Sequence, residues 1–142
     1  PLWFGNQHRD DEANPTYGTA RVLQALSAEI PDADDLRQRG VAWLLNNQNA
    51  DGGWGAGAKT PSSIEETGLA VDALLRCAHD DYVAAPAIER GIAHLLRLTA
   101  GGTDFPPAPI GFYFAKLWYF ERLYAPIFTV SALRRRALFS QR

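Results

Sequence analysis

The sequence predicts an all-α protein, an α/α toroid or an arc of one built from paired antiparallel helices, on three observations. Apolar residues recur at i, i+3 and i+4 in four separate stretches. Arg39-Gly40 followed by Trp43-Leu44 recurs 51 positions later as Arg90-Gly91 followed by His94-Leu95. The helices between match as well, since Thr19-Ala20-Arg21-Val22-Leu23-Gln24-Ala25-Leu26 parallels Thr67-Gly68-Leu69-Ala70-Val71-Asp72-Ala73-Leu74, and Ser131-Ala132-Leu133 begins a third copy. Helix pairs that each carry one apolar stripe cannot bury it alone and must stack on their neighbours.

Taken in order, residues 1–15 open with Leu2-Trp3-Phe4-Gly5 and turn polar, which predicts a loop. A helix is expected from Thr16 to about Glu29, with Val22, Leu23, Leu26 and Ile30 on one face and Pro31 closing it. A second starts behind Asp32 or Asp34 as N-cap and buries Leu36, Gly40, Trp43, Leu44 and Asn47, with a notch at Gly40 for a close backbone approach. Asn49, Asp51, Gly52 and Gly53 end it in a tight turn, after which Trp54 folds back. Ser62 or Ser63 caps a third helix whose first turn holds Glu65 and Glu66 and whose inward stripe is Leu69, Ala70, Ala73, Leu74 and Cys77. Pro86 begins a fourth, with Ile88, Gly91, Ile92, Leu95 and Leu96 inward, fading at Ala100-Gly101-Gly102. The composition then changes to dense aromatics: Phe105, Phe112, Tyr113, Phe114, Trp118, Tyr119, Phe120 and Tyr124. Pro126 sits in the first turn of a last helix that ends in Arg134-Arg135-Arg136. No sheet beyond a short hairpin is expected.

With 142 residues the chain is expected to form a single domain, residues 1–142, able to bury about 68% of its unfolded surface. A formal charge of −2 gives no reason to expect nucleic-acid binding. No stretch reaches the roughly 18 apolar residues of a membrane span. One cysteine, Cys77, excludes an intramolecular disulfide and a cysteine-based zinc site, so a reducing, cytoplasmic setting is the expectation. Methionine is absent even at position 1, and no basic-then-apolar signal segment opens the chain, so it is expected to be a fragment of a longer protein.

Residues 39–54 resemble the QW repeat of triterpene cyclases, with Arg39, Gly40, Trp43, Leu44, Gln48, Gly52 and Trp54 in the motif positions. In that family the glutamine ties one helix end to the start of a neighbouring helix while the tryptophan stacks on it. The second copy departs from the pattern: Thr99 replaces the glutamine and Phe105 the tryptophan. Trp3-Phe4-Gly5, Asn14 and Tyr17-Gly18-Thr19 resemble a hopene-cyclase segment whose tryptophan faces the substrate cavity, although residues 7–13 are expanded and Pro15 replaces a tyrosine. The aromatic carboxy-terminal stretch resembles the cyclase end.

The resemblance implies the carboxy-terminal part of a squalene-hopene-cyclase-like protein. It implies proton-initiated cyclisation of squalene or another polyprenyl lipid in the parent, without metal or organic cofactor, in a protein that rests on the membrane surface. Trp3, Phe4, Tyr17, Phe105, Phe112, Tyr113, Phe114, Trp118 and Tyr119 would line the cavity, because ring faces attract a carbocation and offer it no lone pair to alkylate. The fragment's partners would be the amino-terminal remainder of the parent and, when isolated, a second copy of itself.

Nothing in the chain is assigned as the catalytic acid. Asp32-Ala33-Asp34-Asp35 has the letters of the family's D-x-D-D acid, but it precedes the QW helix and lacks the following threonine, so a helix cap is the reading. Asp10-Asp11-Glu12 reads as a solvated turn and not as a magnesium-diphosphate cluster. His8, His79 and His94 have no ligand spacing, and His94 reads as packed. The alternative function is a non-catalytic toroid that binds lipid or protein. A protein prenyltransferase subunit would need Asp, Cys and His around zinc, and Cys77 has no such companions.

Overall fold

A computed structural model describes residues 4–9, 11, 13–26, 30, 33–78, 82–112 and 117–139, with the side chains of 4, 5, 108–112 and 117–119 outside the description. Among the described residues five helices carry the fold, and its class is all-α: α1 (Pro15–Ala25), α2 (Asp34–Asn46), α3 (Ile64–Cys77), α4 (Ala85–Leu98) and α5 (Tyr124–Phe139). Three short strands accompany them there: β1 (Phe4–Gly5), β2 (Ala108–Phe112) and β3 (Leu117–Glu121).

The central element is α3, which packs against α1 on one side, α5 on another, and α4. That position explains why it is buried from Ile64 through Leu75 instead of along one stripe. Ser63 is its N-cap, accepting the Glu66 N–H at 3.1 Å, a bond of a kind that stabilises a helix by about 1 kcal/mol. The expected inward residue Cys77 is only half-buried. Burial nevertheless raises its thiol pKa, and Sγ donates to the Leu23 carbonyl at 3.4 Å. α3 packs against α5 as it does against α1.

Several boundaries differ from the sequence reading. α1 begins at Pro15 behind Asn14, whose side chain accepts the Tyr17 N–H at 3.0 Å, and it ends at Ala25 instead of near Glu29. The Arg37 guanidinium takes the Leu26 carbonyl at 3.0 Å, closing the chain end that a longer helix would have used. Pro31, expected to close it, lies outside the described residues. α2 starts behind Ala33, which has no side-chain cap. Asp34 and Asp35 stand in its first turn, and Asp32 lies outside the described residues. The buried face of α2 is Val41 and Leu44, while Leu36 is exposed. Gly40 does admit a close neighbour, but that neighbour is the Leu23 side chain and not a backbone. In α4 the inward residues are Ile88, Gly91 and Leu95, with Ile92 partly buried and Leu96 exposed.

The sheet is slightly larger than a hairpin. β2 and β3 pair antiparallel, with Gly111 opposite Trp118 and Ile110 opposite Tyr119, and β1 adds to the free edge of β2, with Phe4 opposite Phe112. The aromatic run 118–120 suits a strand because such side chains pack well on a pleated surface.

Candidate functional site

The best-defined constellation is the turn between α2 and α3. Its pivot is Gln48, whose amide nitrogen donates to the Gly52 carbonyl at 2.8 Å and to the Ala87 carbonyl, in the first turn of α4, also at 2.8 Å. Its amide oxygen accepts from the Arg90 guanidinium. One side chain therefore ties the end of α2 to the start of α4. Gly52 can approach only because it has no Cβ: with φ at 87°, an added methyl would lie 2.9 Å from the Arg90 carbonyl oxygen.

Trp54 lies beneath this tie and is fully buried. Its indole N–H donates to the Leu44 carbonyl at 2.8 Å, and its backbone N–H donates to the Thr67 hydroxyl at 3.0 Å. The ring lies over Gly91, where an added Cβ would stand 2.8 Å from Cζ3. His94 is packed, with Nδ1 at 3.1 Å from the Asp51 carbonyl, which also accepts from Arg97 at 3.2 Å. The Asp51 carboxylate accepts from the Gly53 N–H and the Ser62 hydroxyl, and although burial pushes its pKa up, these bonds leave it below the ordinary carboxylate value.

Of the seven motif positions, Leu44, Gln48, Gly52 and Trp54 converge. Trp43 is partly buried on the core. Among the described residues Arg39 takes no part in the tie: it is exposed and holds a long ion pair with Asp35 at 3.4 Å. The cation on Gln48 is Arg90, the equivalent residue one repeat later. Thr99, which replaces the glutamine in the second copy, is buried and turned on itself, its hydroxyl donating to the Leu95 carbonyl at 2.7 Å and accepting the Gly102 N–H at 3.1 Å. Among the described residues, this side chain ties the second turn to no neighbouring helix.

The cavity candidates are distributed as follows. Trp3, Tyr113 and Phe114 lie outside the described residues. Phe4, Phe112, Trp118 and Tyr119 are brought together by the backbone of the sheet, although they come from opposite ends of the chain. Tyr17 and Phe105 are partly buried against the helical core, and burial raises the Tyr17 phenol pKa. A hollow of 760 Å³ runs along α5 between Arg76 and Leu138, with Leu123, Ile127 and Val130 exposed in its wall, and among the predicted rings with described side chains neither Tyr17 nor Phe105 lines it.

The sequence reading placed Glu66 in the first turn of α3 but did not expect it, or Asp72, to be buried. Glu66 is buried where the amino-terminal segment crosses the start of α3. It accepts from Asn14 at 2.8 Å, from Asn6 at 3.2 Å and from the Ser63 hydroxyl, and burial outweighs these bonds in raising its pKa. The signal was present as Ser63-x-x-Glu66, a capping box. Asp72 is the second, receiving Gln24 of α1 at 2.9 Å, Arg76 at 3.0 Å and Arg135 of α5 at 2.6 Å, so it fastens three helices together. By contrast Asp34 is exposed and ion-paired with Arg37, so neither it nor Asp35 is held as a buried acid. His79 and Asp10 lie outside the described residues, as does Glu12, while Asp11 is exposed and held to about 2 chiefly by Arg9.

The squalene-hopene cyclase C-terminal domain model matches residues 2–137. The chain is similar to a labda-7,13-dienyl diphosphate synthase of Streptomyces clavuligerus, with 36% identity over 125 residues that make up 86% of this chain and 20% of that protein. It is similar to a squalene–hopene cyclase of Bradyrhizobium diazoefficiens, at 34% over 66% of this chain and 15% of that one. It is also similar to an ent-copalyl diphosphate synthase of a Streptomyces species, at 30% over 92% of this chain and 22% of that one. The chain thus spans about a fifth of the length of the curated relatives it matches. No solved structure matches it significantly.

Proposed function

Because the chain belongs to the squalene-hopene cyclase C-terminal domain family, we propose that residues 1–142 form one domain that walls part of the cavity in which a longer protein cyclises a polyprenyl chain. The observation that carries this reading is the family match over residues 2–137. The Gln48–Trp54 tie supports it, since it fixes the relative placement of three helices as the wall of a rigid cavity requires.

Cyclisation of a polyene starts when an acid protonates a terminal double bond, and it continues as each new carbocation is captured by the next double bond. The acid must be buried, and the cavity must be dry. A ring face stabilises a desolvated cation by about 2 kcal/mol without reacting with it. The aromatic strands β2 and β3, together with β1, are the proposed wall. Trp3, Phe4, Phe112, Tyr113, Phe114, Trp118 and Tyr119 are the proposed contacts, and Tyr17 and Phe105 anchor the wall to the helices behind it. The proton donor is assigned to the remainder of the protein. Asp34 and Asp35 face solvent beside arginines, and the oxygens of Glu66 are occupied by Asn6, Asn14 and Ser63.

The substrate is a long isoprenoid, either a hydrocarbon such as squalene or a C20 prenyl diphosphate. The second class is favoured by the breadth of the similarity to the two diphosphate synthases, 86% and 92% of this chain against 66% for the squalene–hopene cyclase. No described helix is long and apolar enough to cross a membrane, and a cytoplasmic protein that draws its substrate from the membrane surface is the proposed setting. The test is incubation of the full-length protein with squalene and with geranylgeranyl diphosphate, followed by mass spectrometry. A cyclised product from either supports the reading. A folded protein that yields neither product and binds the lipid unchanged identifies a non-catalytic toroid instead.

A further inference from the structure

Glu66 holds more than its own helix. In a capping box the third helical residue, here Glu66, reaches back to the backbone N–H of the N-cap, but the Ser63 N–H donates instead to the Trp54 carbonyl at 3.0 Å. The Glu66 carboxyl is thereby released to the amino-terminal segment. Its Oε1 is the common acceptor for the Asn14 side-chain amide at 2.8 Å and the Asn6 side-chain amide at 3.2 Å, while Oε2 stays with the Ser63 hydroxyl. Both asparagines are oriented for this. Asn6 Oδ1 accepts the His8 N–H at 2.9 Å and Asn14 Oδ1 accepts the Tyr17 N–H at 3.0 Å, so each turns only its NH2 toward the other, and only an acceptor can join them. All three side chains are buried, where a donor left without its acceptor is costly.

The two asparagines mark different elements. Asn14 caps α1, whose start is also tied by the Thr16 N–H to the Ala56 carbonyl at 3.0 Å. Asn6 directly follows β1, which pairs with β2 through only Phe4 and Gly5. A strand that short is not stable by itself and takes its place from whatever anchors its exit. We propose that Glu66 is a positioning residue for the cyclisation: acting through Asn6, and without touching substrate, its carboxyl sets the place of β1 and so of the edge strand of the aromatic wall. This role rests on the reading of the three strands as a cavity wall. In a cyclisation cascade each carbocation is either captured by the next double bond or loses a neighbouring proton to water, the C–H electron pair then forming an alkene that ends the sequence. A displaced wall shifts that partition, so the position of β1 is written in the product mixture.

The test compares Asn6→Ala, Glu66→Ala and Glu66→Gln in the full-length protein, by hydrogen exchange of peptides covering residues 4–9 and by kinetics and product analysis with geranylgeranyl diphosphate and squalene. Glutamine keeps one acceptor oxygen for both asparagines and can donate to the Ser63 hydroxyl, so Glu66→Gln should exchange and cyclise as the parent does. Asn6→Ala leaves Asn14, Ser63 and the caps of α1 and α3 in place, which keeps the test open if Glu66→Ala does not fold. Exchange over residues 4–9 in Asn6→Ala should be at least about tenfold faster, as for the loss of a buried hydrogen bond. Its kcat should fall roughly 10- to 100-fold with KM within about twofold, because a small displacement of the wall misplaces the reacting chain. Less cyclised products should appear below the unfolding temperature, where a loss of stability alone would leave the mixture unchanged. Three results would each overturn the proposal while leaving the cyclase reading intact: an active parent whose Asn6→Ala variant keeps its kcat and product mixture, unchanged exchange in that variant, or a Glu66→Gln variant as defective as Glu66→Ala. A parent that turns over neither substrate, seen before any substitution is made, would overturn the cyclase reading and the positioning role with it.

Discussion

Trp54→Ala is the substitution that probes the fold most sharply. The side chain is fully buried, and its ring fills the space above Gly91 between α3 and α4. Deleting a packed aromatic of this size costs about 3–5 kcal/mol from lost transfer energy and the cavity left behind. The lost indole hydrogen bond adds little to that range, because the Leu44 carbonyl still accepts the Asn47 N–H at 3.1 Å and is not stranded. Against the ~5–15 kcal/mol by which small domains are stable, the variant should lose a large part of its stability. Urea unfolding of the 142-residue chain measures the loss as a shift in midpoint at unchanged slope. Gly91→Ala attacks the same contact from the other side and should cost about 1–3 kcal/mol by overpacking the ring. A loss below about 1 kcal/mol for Trp54→Ala would refute the reasoning, since it would mean that the turn braces nothing.

Other consequences concern the acids and the limits of the segment. Glu66→Gln tests the buried carboxyl. Because burial raises the folded-state pKa of Glu66 above its ordinary 4.5, its contribution is intact below that value and is lost as pH rises through the folded pKa. The Gln variant should therefore gain on the parent over that rise, as seen in urea midpoints across a pH series; a difference that does not change with pH would contradict the assignment. Asp34→Asn in the full-length protein should leave cyclisation within about twofold, because an exposed carboxylate paired with Arg37 is not a proton donor to an alkene. Abolished product from a folded variant would return Asp34 to the active site. The isolated 142-residue chain should give no hopene-type product with squalene, and turnover would show that the acid lies within it.

The helices and their pairing were legible because the repeat fixes both the period and the partner. Arg39-Gly40 and Arg90-Gly91 each mark a helix that crosses its neighbour closely, at Leu23 and at Val71. The role of Gln48 and Trp54 was legible through the resemblance of residues 39–54 to the QW repeat. Less legible was α3, whose buried Glu65, Glu66 and Asp72 look like a solvated face in sequence but are enclosed because three helices surround it. Their partners Asn6, Asn14, Gln24 and Arg135 are distant in sequence, and no local periodicity reports such pairs. Leu36 was read as core on periodicity alone, yet it lies in the wall of an open hollow. Arg39 was read only as a motif position, and the sequence did not show that the tie spans repeats, so that a turn is held by the arginine of the next copy. The edge strand β1 was read as loop, since two residues carry no alternation and its pairing with β2 depends on a segment more than a hundred residues away.

The central claim, that this segment walls the cavity, is tested most directly by photolabelling the full-length protein with a polyprenyl analogue carrying a diazirine and mapping the labelled peptides. The account predicts label within residues 105–119 and at the aromatic segment around Phe4, with competition by unlabelled substrate. Label confined to parts of the protein outside residues 1–142, under conditions where the enzyme turns over, would contradict it.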